Sequence, residues 1–194
     1  MRDKRLIFFN KIRGLDDISY LKYSLKYQLA PVIMGFKPSM TINLPSDKYE
    51  KDWDVYNQFI EKDLGVKSMI LRKSERSMII LFYRPCLIEC LLEEKEIRDF
   101  LEPFGYNVTS VERAILHLKE RYQKEHCPHE LGVFLGIALE DVKDYMLYPE
   151  KECLMCSYWK VYNNLEVAQT KFAQYDLAKV KMLNALLEEL EIAS

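Results

Sequence analysis

Four side chains that bind soft or borderline metal ions, Cys127, His129, Cys153 and Cys156, fall within one stretch of the chain. Cys153 and Cys156 have the Cys-x-x-Cys spacing that lets two thiolates share one ion. Cys127-x-His129 adds a third sulfur and an imidazole, so the four can close a tetrahedral zinc or iron site. Cys-x-His is the less common half of such a pattern, and the same residues also read as buried free thiols, which pack as small hydrophobes. Taken alone, Cys153-x-x-Cys156 reads as a redox pair with one lowered thiol pKa. The strand and helix that frame such a pair in a thioredoxin-like setting are not evident around it.

His129 and Glu130 form a second constellation. Pro128 sets His129 near the first turn of a short helix, where the positive end of the helix lowers an imidazole pKa and suits acid-base work beside a carboxylate. The alternative is that either residue caps the helix or bonds to neighbouring backbone. A third constellation is Trp159-Lys160-Val161-Tyr162, which alternates as a strand does, with Trp159 and Val161 on one face and Lys160 and Tyr162 on the other. A cation and a phenol on one face can hold an anionic ligand with Arg84 as companion, so Arg84, Trp159, Lys160 and Tyr162 are the ligand-binding candidates. A solvated sheet edge is the competing reading. Cys86 and Cys90, four apart beside Leu87 and Leu91, read as core cysteines.

These residues need elements to position them. Asp16 and Asp17 open a helix whose apolar positions Ile18, Leu21, Leu25 and Leu29 recur until Pro31, with Tyr20, Tyr23 and Tyr27 along its margin. A short strand is expected around Met40 to Leu44. A second helix runs to Leu64 and stops at Gly65. Val66 to Leu71 and Met78 to Tyr83, rich in β-preferring residues and separated by polar Lys73 to Arg76, predict an antiparallel hairpin. Helical periodicity follows from Cys86 to Glu93, Glu94 to Leu101 and Ser110 to Gln123, then in two short helices, His129 to Leu135 and Leu139 to Leu147. After an aromatic strand over Ser157 to Tyr162, a last helix begins beyond Asn164 and continues through Leu190. The pattern predicts an α+β fold: a small, mainly antiparallel sheet of about three or four strands, covered by helices. One domain is expected over 1–194, with its core at about 15–178 and terminal extensions at 1–14 and 179–194.

Three quoted runs carry a family resemblance: Cys127-Pro128-His129-Glu130-Leu131-Gly132-Val133-Phe134-Leu135-Gly136, then Leu139-Glu140-Asp141-Val142, then Cys156-Ser157-Tyr158-Trp159-Lys160-Val161-Tyr162. They resemble an uncharacterised domain-of-unknown-function family found mainly in anaerobic bacteria. Its members read approximately Pro-His-Glu-Ile-Gly-x-Phe-Leu-Gly, Leu-Glu-Asp-Val and Cys-Gly-Tyr-Trp-Lys-Val-Tyr. Ala30-Pro31, Gly35-Phe36-Lys37-Pro38, Tyr83-Arg84 and Gly105-Tyr106 also fit, so the resemblance covers roughly Leu15 to Ala178. Ser157 stands where glycine is usual and Cys127 where an aromatic is common. The resemblance implies a cytosolic protein of an anaerobe and supplies no established activity.

Charge and composition narrow the remaining classes. Lys and Arg number 28 against 30 Asp and Glu, so no global positive field draws nucleic acid or anionic lipid, and the basic Lys67, Arg72, Lys73 and Arg76 read as a solvated hairpin turn. No apolar run approaches membrane-spanning length, and Leu6 to Phe9 is too short for an export signal. Five cysteines without such a signal point to reduced thiols in the cytoplasm. Gly-rich phosphate loops and nucleophile elbows are missing from the sequence. Two function classes follow: a binding or accessory protein that recognises a small anionic ligand, metal or protein partner through the 126–162 region, and an enzyme using His129 and Glu130, with a cysteine or metal.

Overall fold

The computed structural model describes residues 2–107 and 109–192. Its organising element is a three-stranded antiparallel sheet, β1 (Ser39–Leu44), β2 (Lys67–Lys73) and β3 (Met78–Tyr83), in the order β1-β3-β2. Central β3 is a continuous apolar run because both of its faces are covered. Met78, Ile80 and Phe82 enter one core, with α2 (Asp17–Gln28) and α5 (Trp53–Leu64) above them. Leu81 and Tyr83 enter the other, under α6 (Pro85–Glu93), α7 (Lys95–Leu101), α8 (Val111–Lys124), α9 (Leu131–Phe134) and α10 (Leu139–Leu147). Period-two alternation on a single strand thus builds two cores. In β2 the register against β3 shifts between Ile70 and Arg72, and the extra residue, Leu71, is fully buried in the second core.

Local signals end the elements. Asp16 caps α2, its Oδ1 accepting from the amides of Ile18 and Ser19 at 3.0 Å; the Ser19 hydroxyl, donating to Oδ2 at 2.7 Å, and then the Ser19 amide hold its carboxyl below the usual carboxylate range. Gly65 stops α5 in the left-handed conformation, φ 64°. Pro31 does not simply end the helical run: it sits in the first turn of a separate four-residue α3 (Ala30–Ile33), the position at which proline's missing N–H matters least. A further turn, α4 (Ser46–Tyr49), precedes α5.

The predicted α+β architecture stands, with two corrections of detail. The aromatic strand does not join the main sheet. Only Lys160–Val161 is strand (β5), and it pairs with Met155–Cys156 (β4) in a separate two-stranded ribbon. Cys86 and Cys90 are exposed rather than core, because α6 turns Ile88 and Leu92 inward and so faces the cysteines outward. The last helix, α11 (Leu165–Ile192), spans 28 residues. Its first half packs Ala168, Phe172 and Tyr175 on Trp159 and Val161. Its second half packs Leu183, Leu186 and Leu190 on Phe8 and Ile12 of α1 (Arg2–Arg13), with Tyr20, Tyr23 and Tyr27 of α2 at the margin.

Candidate functional site

Glu130 and His129, adjacent in sequence, face different surroundings. Glu130 is 1 % exposed, and its Oε1 accepts from Arg121 Nε at 2.8 Å and from Tyr106 Oη at 3.3 Å. Burial and that carboxylate together push the Tyr106 phenol well above its ordinary range, and the same carboxylate raises the Arg121 guanidinium further. Glu130 is therefore the buried end of an ion pair joining α8 to the turn before α9. His129 is exposed, its ring edge-on to Tyr145 at 5.3 Å. The two side chains do not converge.

Asp141 does for the ribbon what Glu130 does for α8. It is 3 % exposed on α10; its Oδ2 accepts from Trp159 Nε1 at 2.8 Å, while Oδ1 accepts from the amides of Tyr162 and Asn163, both at 2.9 Å. One carboxylate so fixes the indole and the chain leaving β5, which explains why two-residue strands persist. Trp159 stacks edge-on to Phe172 at 4.4 Å and is buried. Tyr162, expected to share an exposed face with Lys160, is also buried, since it lies just past the end of β5. Lys160 is exposed, its ammonium 5.8 Å from the Tyr145 ring. His129 and Lys160 thus meet on one tyrosine. Arg84 lies apart from them; its Nη1 donates to the Ile33 carbonyl at 2.7 Å.

The four candidate metal ligands are not gathered. Cys127, Cys156 and His129 are exposed and Cys153 is half-buried. Among the described residues no group of three or more His, Cys, Asp or Glu side chains is placed to hold a metal ion.

What the structure gathers instead is a lysine pair that the sequence reading did not single out. Lys37 lies on the loop between α3 and β1, and this loop is held from several sides. The amides of Phe36 and Lys37 donate to Pro31 carbonyl, the Arg84 amide donates to Pro38 carbonyl at 2.9 Å, and Ser39 Oγ donates to Phe134 carbonyl at 2.7 Å. Gly136, at φ 76°, packs so closely that a Cβ there would stand 2.7 Å from Pro38 Cδ. So anchored, Lys37 is only 7 % exposed, with its ammonium 5.6 Å from the centre of the Tyr175 ring. Burial first, and then the charge of Lys179, lower its pKa to about 8.

Lys179 follows Tyr175 by one turn of α11, and its ammonium lies 4.8 Å over the Tyr158 ring. Tyr158 and Tyr175 meet edge to face at 5.1 Å, so the two lysines cap a tyrosine pair. Lys179 is also depressed, by burial before any charge. The nearby carboxylate, Asp176, is engaged by Tyr158 Oη at 2.7 Å. Lys179, Arg5, Asp176, Tyr27 and Leu183 wall a cavity of about 830 Å³. Pro38, Gly136 and Tyr175 border a second of about 400 Å³. A sequence signal for this site did exist: Lys37 is the only charged residue between Lys26 and Asp47.

The fold and the site define a helix-covered antiparallel sheet protein carrying a partly buried, cationic and aromatic cluster at its loop-to-helix junction. The chain belongs to the family described as Protein of unknown function (DUF3793), which it matches over residues 25–194. None of the curated proteins and none of the solved structures matches it. Among the described residues, no helix is long and apolar enough to cross a membrane.

Proposed function

We propose that the protein is a binding protein for a small anion, held by the ammonium groups of Lys37 and Lys179, with Arg5 beside Lys179 on the wall of the larger cavity. The observation that carries this reading is Lys37 itself, a lysine 7 % exposed whose charged neighbour, among the described residues, is another lysine. Buried lysines are ordinarily paired, because an uncompensated ammonium costs several kcal/mol. A fold that keeps one beside a second cation has room for a negative charge supplied from outside. At a separation of about 4 Å and an effective dielectric of about 20, each cation would favour an anion by about 4 kcal/mol. The 126–162 region contributes Tyr158 to the cluster and Gly136 to the loop's seat, and Glu130 and Asp141 hold that region in place. The same proposal puts the chain in the cytoplasm of an anaerobe, where its five free thiols would stay reduced.

Calorimetric titration of L-lactate, a carboxylate without a reactive carbonyl, into the full chain tests the reading. Saturable binding is expected, weakened about tenfold or more in Lys179→Met and in Lys37→Met. Absence of binding, or equal binding by all three proteins, contradicts it.

A further inference from the structure

We infer that the anion is the carboxylate of a small aryl acid, a monoanion whose aromatic ring lies in the larger cavity, between α1, α2 and α11, and whose carboxylate meets Lys179 and Arg5 there. This rests on the anion-binding reading above and names the ligand class.

The cavity carries it. At about 830 Å³ it has the size of a small-molecule site, which usually spans about 300–1,000 Å³ and combines an apolar lining with a few polar groups. Helix spacing supplies both kinds of group. On α11, Asp176, Lys179 and Leu183 recur at three and four residues and so share one side. On α1, Arg5 and Phe9 are four apart, with Leu6 beside them. Tyr27 of α2 adds the third wall, its ring edge-on to Phe9 at 5.6 Å. These walls are fixed to one another: Phe8 and Ile12 of α1 are fully buried in one cluster with Leu183 and Leu186 of α11, and Lys4 Nζ donates to Asn184 Oδ1 at 2.9 Å.

Charge and apolar surface set the class. Lys179 and Arg5 bring two cations to one cavity, and Lys179 is also the cation that acts on Lys37. Asp176 adds one carboxylate to the same lining, and it already accepts from Tyr158 Oη at 2.7 Å. One carboxylate from outside therefore balances the site, whereas a second would meet Asp176. Phe9 and Tyr27 are half-buried and Leu6 is exposed, so aromatic and apolar surface stands uncovered next to the cations. A ring laid against Phe9 and Tyr27 gains burial together with the edge-to-face contact that aromatic pairs favour. L-lactate offers the carboxylate alone.

Calorimetric titration of 3-phenylpropionate into the full chain, beside L-lactate, tests the assignment. The aryl acid should bind about tenfold tighter or better, the return on burying its ring. Arg5→Gln and Leu6→Ser, both at exposed positions, separate the two ends of the ligand. Arg5→Gln should weaken both acids, and Leu6→Ser should weaken 3-phenylpropionate while leaving L-lactate unchanged. Phenylsuccinate, the same kind of ring with two carboxylates, should bind more weakly than 3-phenylpropionate; tighter binding contradicts the monoanion. An aryl acid bound no tighter than L-lactate, or bound equally by wild type and both variants, overturns the inference. Lactate binding on the same wild-type sample separates the failures: lactate bound with no gain from the ring ends the aryl assignment alone, whereas binding of neither acid ends the anion reading with it.

Discussion

Residue by residue, charge placement distinguishes scaffold from site. Glu130 and Asp141 are buried carboxylates that accept from named donors, and Lys37 is a buried cation with no acid partner among the described residues. The first two hold the molecule together. Replacing Asp141 by Ala removes the acceptor of the buried Trp159 indole N–H and Tyr162 amide and of the half-buried Asn163 amide. That loss is expected to cost about 3–5 kcal/mol in denaturant unfolding and to speed hydrogen exchange at Tyr162 and Asn163. His129→Asn, at an exposed position, should stay within about 0.5 kcal/mol of wild type. If the two variants cost the same, the scaffold role of Asp141 fails. Neither carboxylate's role was legible in the chain. Glu130 reads as a catalytic neighbour of His129 because sequence adjacency hides that Arg121 and Tyr106 reach it from other elements. Lys37 was legible as a solitary charge in an apolar stretch, yet nothing local says that Tyr175 and Lys179 will close over it.

Among the elements, agreement between pattern and structure follows how local each cause is. The hairpin, the stop at Gly65, the cap at Asp16 and the helical periods of α6 to α8 and α10 depend on neighbours in sequence, and each forms where expected. The β4–β5 ribbon depends on a carboxylate from α10, so its two-residue strands and separation from the main sheet could not be read from the aromatic alternation. The face of α6 went astray for a related reason: Cys86 and Cys90 share one face, but whether that face is the buried one is decided by β3 and α8. Gly136 gives the sharpest prediction at this scale. Gly136→Ala must bear a left-handed backbone and push Pro38 away from the Lys37 loop. A cost of about 2 kcal/mol or more is expected, since the backbone conformation alone costs about 1–2 kcal/mol. A loss below about 0.5 kcal/mol in urea melts would show that the loop is not pinned there.

At the scale of the whole molecule, two cores on opposite faces of one sheet, with α1 and α11 clasped along a third cluster, provide the stability against which a buried charge can be kept. Most proteins are stable by only about 5–15 kcal/mol, so an uncompensated lysine should be visible in the total. The folded-state pKa of Lys37, about 8, lies below the ordinary 10.5. Between these values the unfolded chain binds more protons than the folded one, so this site's contribution to stability rises with pH across that window, and its penalty is fully present below about 8. The central claim is that this ammonium has no acidic partner among the described residues. It is tested most directly by the unfolding free energy of wild type and Lys37→Met measured side by side from neutral to alkaline pH. The variant should be more stable at pH 7 by on the order of 3 kcal/mol, with the gap closing as pH rises from about 8 to 10.5. A variant less stable than wild type at pH 7, or a gap that does not close, would mean that Lys37 is paired and that no place for an outside anion has been kept.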